Sequence, residues 1–349
     1  MNMDPFKHAS TFVYIGNSNS NDIAIFLLSN ENGQSSFVNK VEIPDVIKPG
    51  ISTPICVSPD RRFMYVVSRG TPLMISSFAI QAKSGNLKYL GNTSLNQSIA
   101  YIATDKTGRY IIGASYPHHK IIVFPISQSG IVLKQKQTLD DYPNAHSVIV
   151  DKTNNHVFVS TLGNDRISQF KFNSLAGELE TNNKPFIQLK GNTGPRHLIF
   201  HPNERFAYVI GEYDASIHVF DVDLTNGLLK EKQCIGTLPF SYNDCKAAAD
   251  IHVTANGRFI YSSERDSSTI SGFKVNSSDG TLELIEVIKT EESPRGFNID
   301  SSSKYLFIVG QLSNQMSIYK IHELTGKLSK LASYSVGESP DWIEIVNLP

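Results

Sequence analysis

The sequence is poor in everything that would staple it, anchor it or charge it. Its 349 residues include three cysteines, Cys56, Cys234 and Cys245, with no CxxC spacing and no even set to pair. A disulfide framework is excluded, and three reduced thiols are the reading, with Cys56 in a strand core. No apolar run approaches the roughly 20 residues that a membrane span needs. The formal net charge is −1, so there is no long-range field to gather nucleic acid or an anionic membrane. The first ten residues carry Asp4, Pro5, Lys7 and His8 rather than an apolar core with a small-residue cleavage site. They do not read as a signal peptide, and a cytoplasmic protein is the consistent expectation. No stretch sustains a helical period, and no P-loop, GxGxxG, HExxH, GxSxG or EF-hand pattern is present.

What is present is a repeat. A short alternating segment ends in an aromatic residue, and a glycine turn follows. The aromatics are Phe26, Phe78, Phe124, Phe170, Phe220, Phe273 and Tyr319, and their glycines are Gly33, Gly85, Gly130, Gly177, Gly227, Gly280 and Gly326. The offset is 7 in six pairs and 6 in the pair Phe124/Gly130, and successive aromatics lie 46 to 53 residues apart. Each period holds four strand-like pieces; in the fifth they span His197–Phe200, Phe206–Ile210, Ile217–Val222 and Leu229–Ile235. Val, Ile, Phe and Tyr in short runs between Gly, Asn, Asp and Pro turns read as antiparallel strands. A four-stranded sheet cannot bury both faces alone, so the copies must stack around an axis. The fold class is all-β, a seven-bladed β-propeller of four-stranded antiparallel blades.

The ends close the ring. Thr11–Gly16 matches a second strand such as Phe206–Gly211, and Pro340–Val346 matches a first strand such as Pro195–Phe200. The C-terminal strand therefore completes the blade that the N-terminus begins, which removes two free sheet edges. The organisation is a short extension, residues 1–10, and one domain, residues 11–349.

The repeat also serves as a ruler for function. At the start of the inner strand the equivalent residues are Thr53, Ala100, His146, Arg196, Ala249, Arg295 and Asp341, with Asp250 following Ala249. In the loop after the second strand they are Ser18, Arg69, Tyr116, Leu162, Glu212, Arg265 and Gln311, with Glu264 beside Arg265. A purely structural rim would repeat one residue type. Here His146, Arg196 with Glu212, Asp250 with Arg265, and Arg295 with Gln311 come from four consecutive blades and should line one side of one mouth. Cations beside carboxylates and a histidine suit an anionic substrate and proton transfer. The bland alternative is solvated rim residues and interblade ion pairs, the reading preferred for Arg69 and Tyr116, which lie farther round the ring. His197, His201, His218 and His252 read as strand or turn residues with ordinary hydrogen bonds. His118 and His119 are too few to chelate a metal unaided. Ser58-Pro59-Asp60 and His201-Pro202-Asn203 fall at the turn between first and second strands, on the opposite face, and read as turn chemistry.

Three ordered segments then carry a resemblance. Gly194-Pro195-Arg196-His197-Leu198-Ile199-Phe200-His201-Pro202-Asn203-Glu204, Ala248-Ala249-Asp250-Ile251-His252-Val253 and Pro294-Arg295-Gly296-Phe297-Asn298-Ile299-Asp300 resemble the bacterial propeller-type 6-phosphogluconolactonases and their relatives, the carboxymuconate lactonising enzymes. The likeness runs from about Phe12 to Asn347. It implies hydrolysis of 6-phosphogluconolactone to 6-phosphogluconate in the oxidative pentose phosphate pathway, with no cofactor and no metal. It also implies a site of one histidine, two arginines and a glutamate, which fall on His146, Arg196, Arg295 and Glu212. The sequence departs from the family at Asp341-Trp342, where a less charged pair is expected, and at Lys246-Ala247.

On this reading Arg196 and Arg295 hold the anionic lactone and neutralise the oxyanion, while His146 or Glu212 is the base. Arg265, Asp250 and Gln311 complete the substrate contacts. The expected partner is a small anionic sugar lactone; neither nucleic acid nor membrane is expected, and the oligomeric state is left open. Three alternatives stand beside it. One is a muconate-type lactonising enzyme or another sugar lactonase using the same pocket. A calcium-dependent gluconolactonase fits the cation-rich rim less well. A non-catalytic propeller scaffold belongs to another class, which fold alone does not reject.

Overall fold

The computed structural model describes Ser10 to Pro349. Residues 1–9, nearly all of the expected N-terminal extension, lie outside the described residues, and Ser10 already belongs to the first strand. Seven separate four-stranded antiparallel sheets are arranged as the repeat predicts. The fifth blade runs Pro195–Phe200, Phe206–Gly211, Ser216–Asp223 and Leu228–Gly236, each strand within two residues of its expected bounds. Among the described residues the single helical element is a 3-10 turn, Leu162–Asn164.

Ring closure is direct. Pro340–Leu348 pairs antiparallel with Ser10–Asn17 as the inner strand of the first blade, so the ends of the chain share one sheet. Hydrogen bonds from Ser18 N to Ser339 O and from Thr11 Oγ1 to Asn347 Oδ1 fasten the two ends of this seam.

The repeated glycines make the blades stack. Gly85 sits at φ +67°, and a Cβ there would lie 2.3 Å from the Phe12 ring of the preceding blade. The backbone can adopt this left-handed turn, and the ring can approach it, because no side chain intervenes. The same contact recurs around the circle, and Gly33 against Tyr305 completes it between the last blade and the first. Beside these contacts Tyr14, Tyr208 and Tyr261 donate to the carbonyls of Gly85, Gly280 and Gly326. Between neighbouring blades lie seven apolar clusters of buried Val, Ile, Phe and Tyr. This layered interior is where burial of apolar area stabilises the fold.

Turns between first and second strands behave as read from sequence. Ser58 Oγ donates to Asp60 and accepts from Phe63 N, and Asp105, Asp151 and Asp300 accept from the backbone N–H groups four and five residues on. These groups satisfy the turn backbone.

Candidate functional site

The loop after the second strand is tied to the entry of the inner strand by one backbone hydrogen bond, repeated from blade to blade. Leu162 N donates to Asn144 O, Glu212 N to Gly194 O, Arg265 N to Ala247 O and Gln311 N to Ser293 O. Both sets of positions singled out in the repeat therefore share one face of the ring. A second feature aims their side chains. The pairing of inner and second strands slips at Ala145/Ser147, Pro195/Leu198, Ala248/Ile251 and Pro294/Gly296, and the first-blade seam slips next to Asp341. His146, Arg196, Arg295 and Asp341 all fall in these β-bulges, which turn residues away from the regular alternation.

In the fifth and sixth blades the slip takes in two residues, Arg196 with His197 and Ala249 with Asp250. This corrects the sequence reading of His197 as an ordinary strand residue, whereas His252 keeps its regular pairing with Tyr261 and a hydrogen bond to Asp250. His197 Nδ1 is 2.7 Å from Asp250 Oδ1, and its Nε2 is 3.2 Å from Arg196 Nη1. Because an arginine only donates, Nε2 accepts and Nδ1–H donates to the carboxylate, which fixes the tautomer. Burial, reinforced by the Arg196 charge, lowers His197 to about 4, so the ring is neutral. His197 also packs edge-on to Tyr101 at 5.2 Å and lies 6.1 Å from the Trp342 ring, forming a floor beneath the mouth.

Asp250 is accordingly not a rim residue. Its oxygens take His197, His252 at 3.3 Å, and the N–H groups of Ile251 and Phe297. The expectation that it contacts substrate is replaced by a supporting place beneath Arg196. Below the floor a cavity of about 60 Å³ is bounded by His197, Asp250, His252, Trp342 and Glu344.

Above the floor the groups converge as expected. Arg196 is 2% exposed; its Nε lies 2.8 Å from Glu212 Oε2, and Nη1 donates to His197 and to Ala249 O. The Nε contact is an ion pair by distance, without the alignment of a hydrogen bond. Arg265 Nη2 reaches the other Glu212 oxygen at 3.0 Å, and its Nε donates to Ala247 O. Glu212 thus bridges two guanidiniums. Burial alone would raise its carboxyl, but Arg196, Arg265 and Arg295 hold it below the usual range.

Arg295 differs from these, for it makes no hydrogen bond or ion pair with any described residue within 4 Å. Burial lowers its pKa, partly opposed by the Asp341 charge. Arg69 is held by the hydroxyls of Ser52 and Ser98 and is lowered to about 10 by burial and by Arg295. Tyr116 lies edge-on to His146 at 5.9 Å. Both Arg69 and Tyr116 therefore belong to the mouth, contrary to their assignment farther round the ring. His146 is buried, with Nδ1 lacking any partner, and burial together with Arg196 and His197 depresses it well below its ordinary value. Asp341, raised to about 6 by burial, accepts from Thr53 N on one oxygen and leaves the other free. Gln311 stands at the mouth's edge and donates to Ser339 Oγ at 3.4 Å. Glu264 is turned away, accepting from Ala247 N and Ser267 N.

Four guanidiniums thus face two mouth carboxylates, Glu212 and Asp341. Arg196 is itself lowered to about 9 by burial, with Arg265 and Arg295 acting in the same direction against Glu212. Such a site attracts an anion. Among the described residues no group of three His, Cys, Asp or Glu side chains is arranged to hold a metal, and His119 Nδ1 accepts from Asn144 N. Among the described residues no helix is long and apolar enough to cross a membrane.

A family model described as lactonase, 7-bladed beta-propeller, matches residues 41–345. A 6-phosphogluconolactonase of Pectobacterium carotovorum subsp. carotovorum is 35% identical over 96% of this chain and 98% of its own length. That of Serratia proteamaculans is 36% identical over 96% and 98%. A solved structure from Bacteroides fragilis, 25% identical, superposes with a TM-score of 0.88 over 99% and 100% of the two chains. The periplasmic gluconolactonase of Pseudomonas aeruginosa, 22% identical, shares the fold with a TM-score of 0.89 over 97% and 100%. The chain belongs to the lactonase family of seven-bladed β-propellers.

Proposed function

We propose that this lactonase hydrolyses 6-phosphogluconolactone to 6-phosphogluconate, with guanidiniums rather than a metal polarising the carbonyl. The observation that carries the reading is Arg295, a largely buried cation that no described carboxylate contacts within 4 Å, Asp341 and Glu212 acting on it only at longer range, at the mouth of a site already rich in arginine. A dianionic phosphate is a suitable partner for Arg295 with Arg69 or Arg265 beside it. The names of the relatives support the substrate.

Lactone opening needs a nucleophilic water, a charge for the oxyanion and a proton for the departing ring oxygen. His146, held neutral by burial and by the surrounding cations, takes the proton from the attacking water. Glu212 is held anionic by two arginines, which makes it a weak base and a strong organiser. Arg196, fixed on one side by Glu212 and on the other by His197 and Ala249, turns Nη2 to the developing oxyanion. The imidazolium formed on His146 would be repelled by the arginines in the empty site. Bound phosphate offsets that repulsion, so substrate charge itself prepares the base. The same imidazolium returns its proton to the leaving oxygen.

Steady-state kinetics of Arg295→Ala and Arg196→Ala test this assignment. Arg295→Ala should act mainly on KM. Arg196→Ala should lower kcat/KM by more than about tenfold, roughly 1.4 kcal/mol of transition-state stabilisation. Unchanged kcat/KM in Arg196→Ala removes it from the mechanism.

A further inference from the structure

The third and fourth strands of the fifth blade break the repeat in a second place, far from the channel mouth. The residue two before the repeated aromatic is small or aliphatic elsewhere: Ala24, Ser76, Ile122, Ser168, Ser271 and Ser317. In the fifth blade it is His218, paired in register with Cys234. Cys234 Sγ lies 3.7 Å from His218 Nε2, and His218 Nδ1 lies 2.5 Å from Glu231 Oε1. Residues 231 and 234 would face opposite sides of a regular strand. The register shift between Val219 and Phe220 leaves Lys232 unpaired and brings both onto the His218 face.

The His218 side chain is only 2% exposed and stacks on Phe220, whereas Cys234 is open to solvent. An imidazole with an acceptor at each nitrogen carries a proton on both only if the sulfur is a thiolate. The thiol and the ring thus share one proton, and Glu231 draws it onto the ring. Burial works against the charged ring, yet Cys234 and Glu231 raise it to about 9, and His218 in turn lowers the thiol. Asp214, in the turn before the third strand, opposes the thiolate, while Ser216 supports it. The other two cysteines lack this setting: Cys56 is buried and raised, and Cys245 is exposed without such a partner.

We propose that Cys234 is a modification site, a thiolate held by His218 and Glu231 that reacts with small hydroperoxides and then with low-molecular-mass thiols. In the first step sulfur attacks the distal peroxide oxygen; an S–O bond forms and the O–O bond breaks. Sulfur is oxidised by two electrons to the sulfenic acid, and the leaving alkoxide or hydroxide takes its proton from the His218 imidazolium. In the second step a thiol attacks the sulfenic sulfur, forming a mixed disulfide and releasing water.

Site-resolved mass spectrometry of the native full chain, with iodoacetamide from pH 5 to 9, provides the test. At pH 6.5 Cys234 should be alkylated at least about tenfold faster than Cys245, as befits a depressed thiol, with Cys56 unlabelled. Glu231→Gln, a substitution at an exposed position, should move the Cys234 profile to higher pH and slow it at pH 6.5. One equivalent of hydrogen peroxide should direct a dimedone adduct to Cys234 first. Equal rates and pH profiles for Cys234 and Cys245, a profile unmoved in Glu231→Gln, or dimedone labelling that favours Cys245 overturns the proposal.

Discussion

Arg196 and Glu212 face each other across the hairpin of one blade, Nε to Oε2 at 2.8 Å, and the same carboxylate takes Arg265 from the next blade at 3.0 Å. One anion therefore sets the spacing of two cations supplied by neighbouring sheets. Glu212→Gln keeps the shape and removes the charge. It should lower kcat/KM on 6-phosphogluconolactone by about tenfold or more, an effect of ~1.4 kcal/mol, through misplaced guanidiniums. Wild-type kinetics in this variant would show that Glu212 is a rim residue only.

The neutral state of His146 has its own signature. Burial and the surrounding cations hold its pKa well below the ordinary value. In histidine-selective NMR its ring should stay unprotonated at pH 6 in the free protein, and saturating inorganic phosphate should shift its titration upward. A ring that titrates near 6.5 and ignores phosphate contradicts the proposed coupling between anion and base.

His197 is assigned a positioning role, since it links Asp250 to Arg196 and touches the mouth only as its floor. His197→Phe retains a ring against Tyr101 and Trp342 but loses both hydrogen bonds. It should lower kcat by about fivefold, the worth of one hydrogen bond near 1 kcal/mol, with KM changed less. The melting temperature should also fall, because Asp250 loses its closest partner. Full kcat with a lowered melting temperature would reduce His197 to a structural residue.

Asp341 links the site to stability. Its folded pKa of about 6 lies above the ordinary value of 3.8, so the folded protein keeps a proton that the unfolded chain releases. Its contribution is fully present below pH 3.8 and is lost as pH rises through 6, a loss of about 2–3 kcal/mol for about two pK units. Glu344, raised to about 7 by burial, extends the loss to neutral pH. Denaturant unfolding from pH 4 to 8 should show stability falling in the wild type and falling less in Asp341→Asn. Parallel curves for the two proteins would contradict the assignment.

The blades were legible because their signal is repeated: an aromatic and a glycine at fixed offset, each required by the same stacking contact. The mouth was legible through departures from that repeat, and His146, Arg196, Glu212, Arg265 and Arg295 do converge there. His197 was misread for a physical reason. Strand alternation places residue 197 opposite residue 196, whereas a two-residue bulge turns both toward the axis, and bulges leave no mark in composition. Arg69 and Tyr116 were set aside by counting blades round the circle, although Tyr116 lies against His146 of the next blade and Arg69 feels the charges of Arg295 and Asp341.

The central claim is that the excess of guanidiniums over carboxylates at the mouth selects a phosphorylated lactone. The most direct measurement is the rate of hydrolysis of freshly generated 6-phosphogluconolactone, with unphosphorylated gluconolactone and carboxymuconate in parallel. The account predicts hydrolysis well above the spontaneous rate for the phosphorylated lactone, a lower kcat/KM without the phosphate, and narrowing of that gap in Arg295→Ala. Hydrolysis of 6-phosphogluconolactone no faster than in buffer, or equal kcat/KM for the two lactones, would contradict it.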